Sequence, residues 1–266
     1  MNDMAFKIAL SAGHGKYTAG KRCLKSLDPK ETREWVLNSR IADKVENLLK
    51  NYTGYELLRL DDRSGATDVS LSKRSQSANN FKADFYLAIH HNAGVSGGKG
   101  GGVMAFVYIK PSAESLEWQK DLYNELIKQT GLKGNRSVPM AKANLHECRE
   151  PYMPAVLLEL GFMDSKTDVP IILTEKYADQ CAKAIVTVLA KRGKLIKKKA
   201  NVDAFVPYIV RVIVDELNIR DGAGTGYKIN GCITDKGAYT IIKQKGNWGL
   251  LKSEKGWICL DYTKKI

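Results

Sequence analysis

Short apolar runs alternating with stretches of helical periodicity constrain this chain more than any other feature. Residues 6–10 (Phe-Lys-Ile-Ala-Leu), 56–60, 85–90, 103–109 and 155–159 read as strands. Between them, residues 28–51, 70–81, 114–130 and 177–191 repeat apolar side chains at helical spacing. Strands that alternate with helices predict an α/β fold: a mostly parallel twisted sheet with helices on both faces. The first helix is expected to open on Asp28 as N-cap, with Pro29 in its first turn and Glu31 closing a capping box.

The pattern changes after residue 191. A basic stretch, Arg192-Gly193-Lys194-Leu195-Ile196-Lys197-Lys198-Lys199, reads as the start of a linker. Beyond it, strand candidates at 208–214, 217–220, 229–233, 238–242, 249–252 and 256–260 are separated by glycine-containing turns, with no helical period. That pattern predicts a small all-β barrel, with Trp248 and Trp257 expected in its core. The organisation expected is a catalytic domain over residues 1–192, a linker over 193–204 and a second domain over 205–266.

Composition narrows the function classes. Hydrophobic residues make up 44% of the 266, enough for a core and too many for bulk disorder. No apolar run approaches the roughly 18 residues of a membrane span, so membrane insertion is not expected. The first ten residues carry Asp3 and Lys7 and do not read as a secretory signal. The net charge of +13 implies an anionic partner such as a cell-wall polymer. Nucleic acid is not favoured, because no basic–aromatic recognition motif accompanies the charge. The five cysteines are scattered and form no C-x-x-C, which predicts reduced thiols rather than disulfides or a cysteine zinc cluster.

The chemistry falls at strand ends, where open α/β sheets gather functional residues. His14 follows the first strand inside Ala12-Gly13-His14-Gly15. The third strand ends in His90-His91-Asn92, and the fifth in Glu159. Two imidazoles and a carboxylate suit a zinc site with one position open. Glu34 is favoured over Glu31 as the third ligand, because Glu34 shares the inward stripe of Ile41 and Leu48. His90 and His91 compete for one ligand position, since neighbours on a regular strand face opposite ways. His91 is then an exposed or supporting imidazole, His146 a loop histidine and Arg74 an anchor of the fold. A structural Glu159 would pair with Arg74 or Arg149. Residues 15–22 nearly spell a phosphate-binding loop, but Arg22 stands where that loop needs Ser or Thr.

Taken in order, Ala12-Gly13-His14-Gly15, Glu34 ahead of Ile41-Ala42, Leu71-x-x-Arg74 with Ala78-Asn79, Ile89-His90-x-Asn92, and residues 154–162 (Pro-Ala-Val-Leu-Leu-Glu-Leu-Gly-Phe) resemble the type-3 zinc N-acetylmuramoyl-L-alanine amidases. The resemblance spans roughly residues 5–192. It implies that His14, Glu34 and His90 hold one Zn²⁺ and that Glu159 is the catalytic carboxylate. The substrate would be peptidoglycan, cut between N-acetylmuramic acid and L-alanine. His91 departs from the small residue usual after the second histidine.

The tail resembles bacterial SH3-type cell-wall-binding domains through Leu217-Asn218-Ile219-Arg220-Asp221-Gly222, Gly246-Asn247-Trp248, and Gly256-Trp257-Ile258 with Tyr262. Together the two resemblances imply a phage or prophage endolysin of a Gram-positive host. It would wait in the cytoplasm until a holin-type lesion releases it to the wall. The alternatives are a bacterial autolysin of the same chemistry and a non-catalytic basic wall-binding protein.

Overall fold

A computed structural model describes residues 5–198 and 207–266. The end of the expected linker and the first residues of the expected second domain, like Met1–Met4, lie outside the described residues. The chain divides into two units, Met1–Lys198 and Lys199–Ile266.

The first unit is built on a six-stranded sheet. Its elements run β1 (Phe6–Ala12), α1 (Glu34–Leu49), β2 (Tyr52–Thr53), β3 (Tyr55–Arg59), α2 (Leu71–Phe81), β4 (Phe85–Asn92), β5 (Val103–Val107), α3 (Ala113–Thr130), β6 (Met140–Lys142), α4 (His146–Arg149), β7 (Ala155–Phe162), α5 (Val169–Ile172), α6 (Glu175–Arg192) and β8 (Ile196–Lys197). The sheet order is β3-β1-β4-β7-β5-β6. Every pairing in it is parallel except β5 with β7.

Both faces of this sheet are covered, and side-chain alternation sorts the cores. On one face α1, α3 and α6 bury Ile8, Leu10, Leu87, Ile89, Val156 and Leu158. There Trp118 of α3 stacks on Phe85 at 3.8 Å between ring centres. On the other face, α2 and α4 cover a smaller cluster with Ala9, Tyr86, Ala88, Ala155 and Leu157. Each large apolar side chain so buried contributes about 1.5–3 kcal/mol.

The first helix begins later than its capping signal predicts. Asp28 does cap, but it caps a turn: its carboxylate accepts from the backbone N–H groups of Lys30 and Thr32. Glu31 is not a third helical residue. Its φ is 49°, and its side chain pairs with Arg22 at 3.1 Å. The following residues are held extended because Cys23 N–H donates to Thr32 O and Glu34 N–H to Lys21 O. The helix therefore starts at Glu34.

Residues 195–198, expected in the linker, pack on the first unit. Leu195 is buried there, and β8 pairs with β2. The second unit is all β: β9 (Tyr208–Val212), β10 (Leu217–Arg220), β11 (Ile229–Ile233), β12 (Ala238–Lys245), β13 (Trp248–Leu251), β14 (Trp257–Cys259) and β15 (Thr263–Lys265) form one sheet in the order β11-β10-β14-β13-β12-β9-β15. All its pairings are antiparallel. Its core is aliphatic, with Val210, Val212, Leu217, Ile219, Ile233, Ile241, Leu251 and Ile258. Trp248 and Trp257, expected in that core, are only half-buried. Trp248 instead lines a cleft of about 670 Å³ with Arg220, Asp261 and Tyr262. Among the described residues no helix is long and apolar enough to cross a membrane.

Candidate metal centre and catalytic carboxylate

The site lies at the carboxyl ends of β1, β4 and β7. His14 stands just past β1 with φ 66°, a left-handed conformation that a residue with a side chain rarely adopts. Arg74, 1% exposed, holds that turn from α2. Its guanidinium donates to Ala12 O at 2.6 Å, to Ser11 Oγ at 2.7 Å and to His14 O at 3.4 Å. Arg74 thus anchors the fold, and through it the first candidate ligand.

Glu34 opens α1, where the helix N-terminus favours a carboxylate. It is fully buried. Its Oε1 lies 3.1 Å from His90 Nδ1, and its Oε2 lies 3.4 Å from His14 Nε2. The two imidazoles meet edge to face, 5.0 Å apart. One ligand atom from each of His14, Glu34 and His90 falls within 4.8 Å of the other two. Gly13 makes room for the His90 ring: a Cβ there would fall 2.1 Å from His90 Cε1. His14 Nε2 and Glu34 Oε2 are shielded from solvent and have no hydrogen-bond partner among the described residues, the Lys21 ammonium approaching Glu34 Oε2 only to 3.8 Å. Nitrogen and oxygen donors that are buried and converge on one point fit a divalent cation such as zinc.

Side-chain alternation separates the two adjacent histidines. His90 emerges on the α2/α4 face and His91 on the α1 face. His91 is 2% exposed, which leaves the supporting rather than the exposed imidazole of the two expected readings. Its Nδ1 sits 2.8 Å from Asn38 Oδ1, and burial lowers its pKa to about 3. It nevertheless serves the site. Its backbone N–H donates to Glu34 Oε1 at 3.2 Å, and Asn38, one helical turn beyond Glu34, donates to the same oxygen. His146 is on α4 rather than in a loop, with Nε2 3.2 Å from Ser75 Oγ.

Glu159 is the register partner of His90 across the β4–β7 ladder. Partners in a parallel ladder project on the same face. Its Oε2 is sealed from solvent and makes no hydrogen bond among the described residues. Among the described residues it has no ion pair with Arg74 or Arg149; Arg149 pairs with Glu150 instead. Burial pushes the Glu159 carboxyl up to about 8, opposed by charge on His90 and reinforced by Glu34. A carboxyl so shifted is poised to exchange a proton near neutral pH.

The sequence reading missed Glu147. This α4 carboxylate is buried, and its Oε2 lies 3.0 Å from His90 Nε2. Burial disfavours charge on His90, but its contacts with Glu147 and Glu34 outweigh that and raise its pKa. For His14 burial prevails over Glu34, and its pKa is lowered. A cleft of about 360 Å³ opens beside the cluster, lined by His14, Asp68, Leu71, Arg74 and His90.

Fold and site together define an α/β enzyme with a candidate metal centre at the carboxyl ends of its strands. The sequence model of the type-3 N-acetylmuramoyl-L-alanine amidase family matches residues 8–191, and the chain belongs to that family of peptidoglycan amidases. It is 30% identical over 202 residues to the sporulation-specific N-acetylmuramoyl-L-alanine amidase of Bacillus subtilis, covering 73% of this chain and 71% of that protein. It is 28% identical over 195 residues to the endolysin of Bacillus phage SPP1, covering 73% and 69%. Among solved structures it is similar to an N-acetylmuramoyl-L-alanine amidase from Clostridium difficile 630, with TM-score 0.63, 28% identity, and coverage of 70% of this chain and 96% of that one.

Proposed function

We propose that this amidase is zinc-dependent and that His14, Glu34 and His90 hold the metal, with Glu159 as the catalytic base. The observation that carries the reading is the convergence of three buried ligand atoms beside an unpartnered carboxylate of raised pKa. When bound, the metal would supply Lewis-acid polarisation of the scissile carbonyl and acidify water. Glu159 would take the proton from the attacking water and return it to the leaving L-alanine amine. Asn38 and the His91 backbone N–H would keep the Glu34 carboxylate aimed. Arg74 would fix the backbone of His14.

The second unit we assign to the cell wall as an SH3-like binding domain. Its antiparallel strands, its half-buried Trp248 in one cleft with Tyr262, and an excess of 11 Lys and Arg over 7 Asp and Glu in residues 199–266 support that role against an anionic polymer. For the biological setting we propose wall lysis at phage or prophage release, a reading supported by similarity to the SPP1 endolysin.

The deciding experiment is digestion of purified Gram-positive peptidoglycan with and without a chelator, read by mass spectrometry. Free peptides beginning with L-alanine are expected, lost with chelator and restored by Zn²⁺. Undiminished release in chelator would overturn the metal assignment. Disaccharide products would overturn the assigned bond.

A further inference from the structure

We propose that Glu147 is the positioning residue for His90: it keeps the ring proton on Nε2, so that Nδ1 is the nitrogen presented to the metal. The proposal rests on the metal reading above.

Glu147 reaches His90 from a short helix far along the chain, with Oε2 3.0 Å from Nε2. Its other oxygen is fully committed. Oε1 accepts from Ser11 Oγ at 2.6 Å and from Tyr86 OH at 2.7 Å. Ser11 in turn accepts from Arg74 Nη1 at 2.7 Å. Arg74, Ser11 and Glu147 therefore form a chain that ends on the imidazole. An ionised carboxylate only accepts hydrogen bonds, so the nitrogen facing it must carry a proton. The opposite nitrogen, Nδ1, faces Glu34 Oε1 at 3.1 Å, and its proton is the one a metal held by His14 and Glu34 would replace.

The surroundings argue against simple packing. Glu147 is 3% exposed, where an apolar side chain would avoid desolvating a charge. A buried carboxylate that accepts from a ligand histidine fixes its tautomer and ring orientation and raises its basicity.

The test compares the native protein with Glu147→Gln. Zn²⁺ affinity is measured by competition with a chromophoric chelator, and imidazole protons are assigned by long-range ¹H–¹⁵N spectra of the Zn²⁺-loaded protein. The variant should bind Zn²⁺ about 10–100-fold more weakly, with Glu147→Asp recovering part of the loss. The native spectrum should place the His90 proton on Nε2. Equal affinities in native protein and Glu147→Gln would overturn the proposal while leaving the metal reading intact. A native spectrum with the proton on Nδ1 would overturn it with no variant needed, even if Glu147→Gln fails to fold. Absence of Zn²⁺ binding by the native protein would overturn the metal reading and this proposal with it.

Discussion

Glu159 and His90 are opposite each other on neighbouring parallel strands, so one ladder carries both a candidate ligand and the candidate base. Their spacing is set by sheet hydrogen bonds rather than by a flexible loop. Replacing Glu159 by Gln keeps the shape and removes the proton acceptor. Wall hydrolysis should fall by about 10²–10⁴-fold while bound Zn²⁺ stays at the native level. Turbidity loss of wall suspensions and metal content per chain are the two readouts. Native-rate hydrolysis by the variant would remove Glu159 from the mechanism.

Cation binding should displace a proton. In the metal-free protein His90 lies between Glu34 and Glu147, and its pKa is raised to about 10, so it is an imidazolium at neutral pH. Metal must replace the proton that faces Glu34. Zn²⁺ affinity should therefore rise with pH over the range 7–9, and calorimetric heats should differ between buffers of different ionisation enthalpy. The sign for stability is opposite. Because the folded-state value lies above the ordinary 6.5, the stabilisation His90 gives the metal-free protein is complete below pH 6.5 and is lost as pH rises through about 10. Identical heats in all buffers would contradict the imidazolium.

Gly13 is a tight contact with the site. An added Cβ would fall 2.1 Å from the His90 ring, which Glu34 and Glu147 hold on its two nitrogens. Gly13→Ala should cost about 1–3 kcal/mol of stability through overpacking and should weaken Zn²⁺ binding as well. Chemical denaturation and metal titration of the variant measure the two effects. An alanine variant with native metal affinity would show that the ring can shift freely.

Arg74 connects the fold to the chemistry. Replacing it with Met leaves the carbonyls of Ala12 and His14 and the Ser11 hydroxyl without their donor in a buried place. The expected loss is about 3 kcal/mol in urea unfolding, with weaker metal retention because the left-handed turn at His14 loses its tether. An unchanged midpoint would mean that water replaces the guanidinium.

Much of the sheet is legible in the chain, because buried parallel strands leave continuous apolar runs such as residues 85–89 and 155–158. The separation of His90 from His91 is legible too, since alternation alone puts them on opposite faces. The start of α1 is not. Asp28-Pro29 is a strong local cap signal, and long-range backbone bonds from Lys21 and Cys23 override it. Glu147 is hidden for a related reason. Its helix is only four residues long, and its partners Ser11, Tyr86 and His90 come from two other strands. No local spacing marks such a carboxylate. Trp248 and Trp257 misled because aromatic residues mark a barrel core by composition, whereas aliphatic side chains fill this one.

The two units have separate cores, which makes their roles separable. The cores of the first unit draw on residues up to Leu195, and the core of the second on Val210 to Ile258. A chain ended after Lys198 should fold, bind Zn²⁺ and release L-alanine-initiated peptides from soluble wall fragments at near-native kcat. It should also lose most of its co-sedimentation with intact Gram-positive walls, and the lytic rate on whole cells should fall with it. If the shortened chain sediments with walls as the full chain does, the catalytic unit alone supplies the attachment. The positive charge of the tail would then call for a different anionic partner.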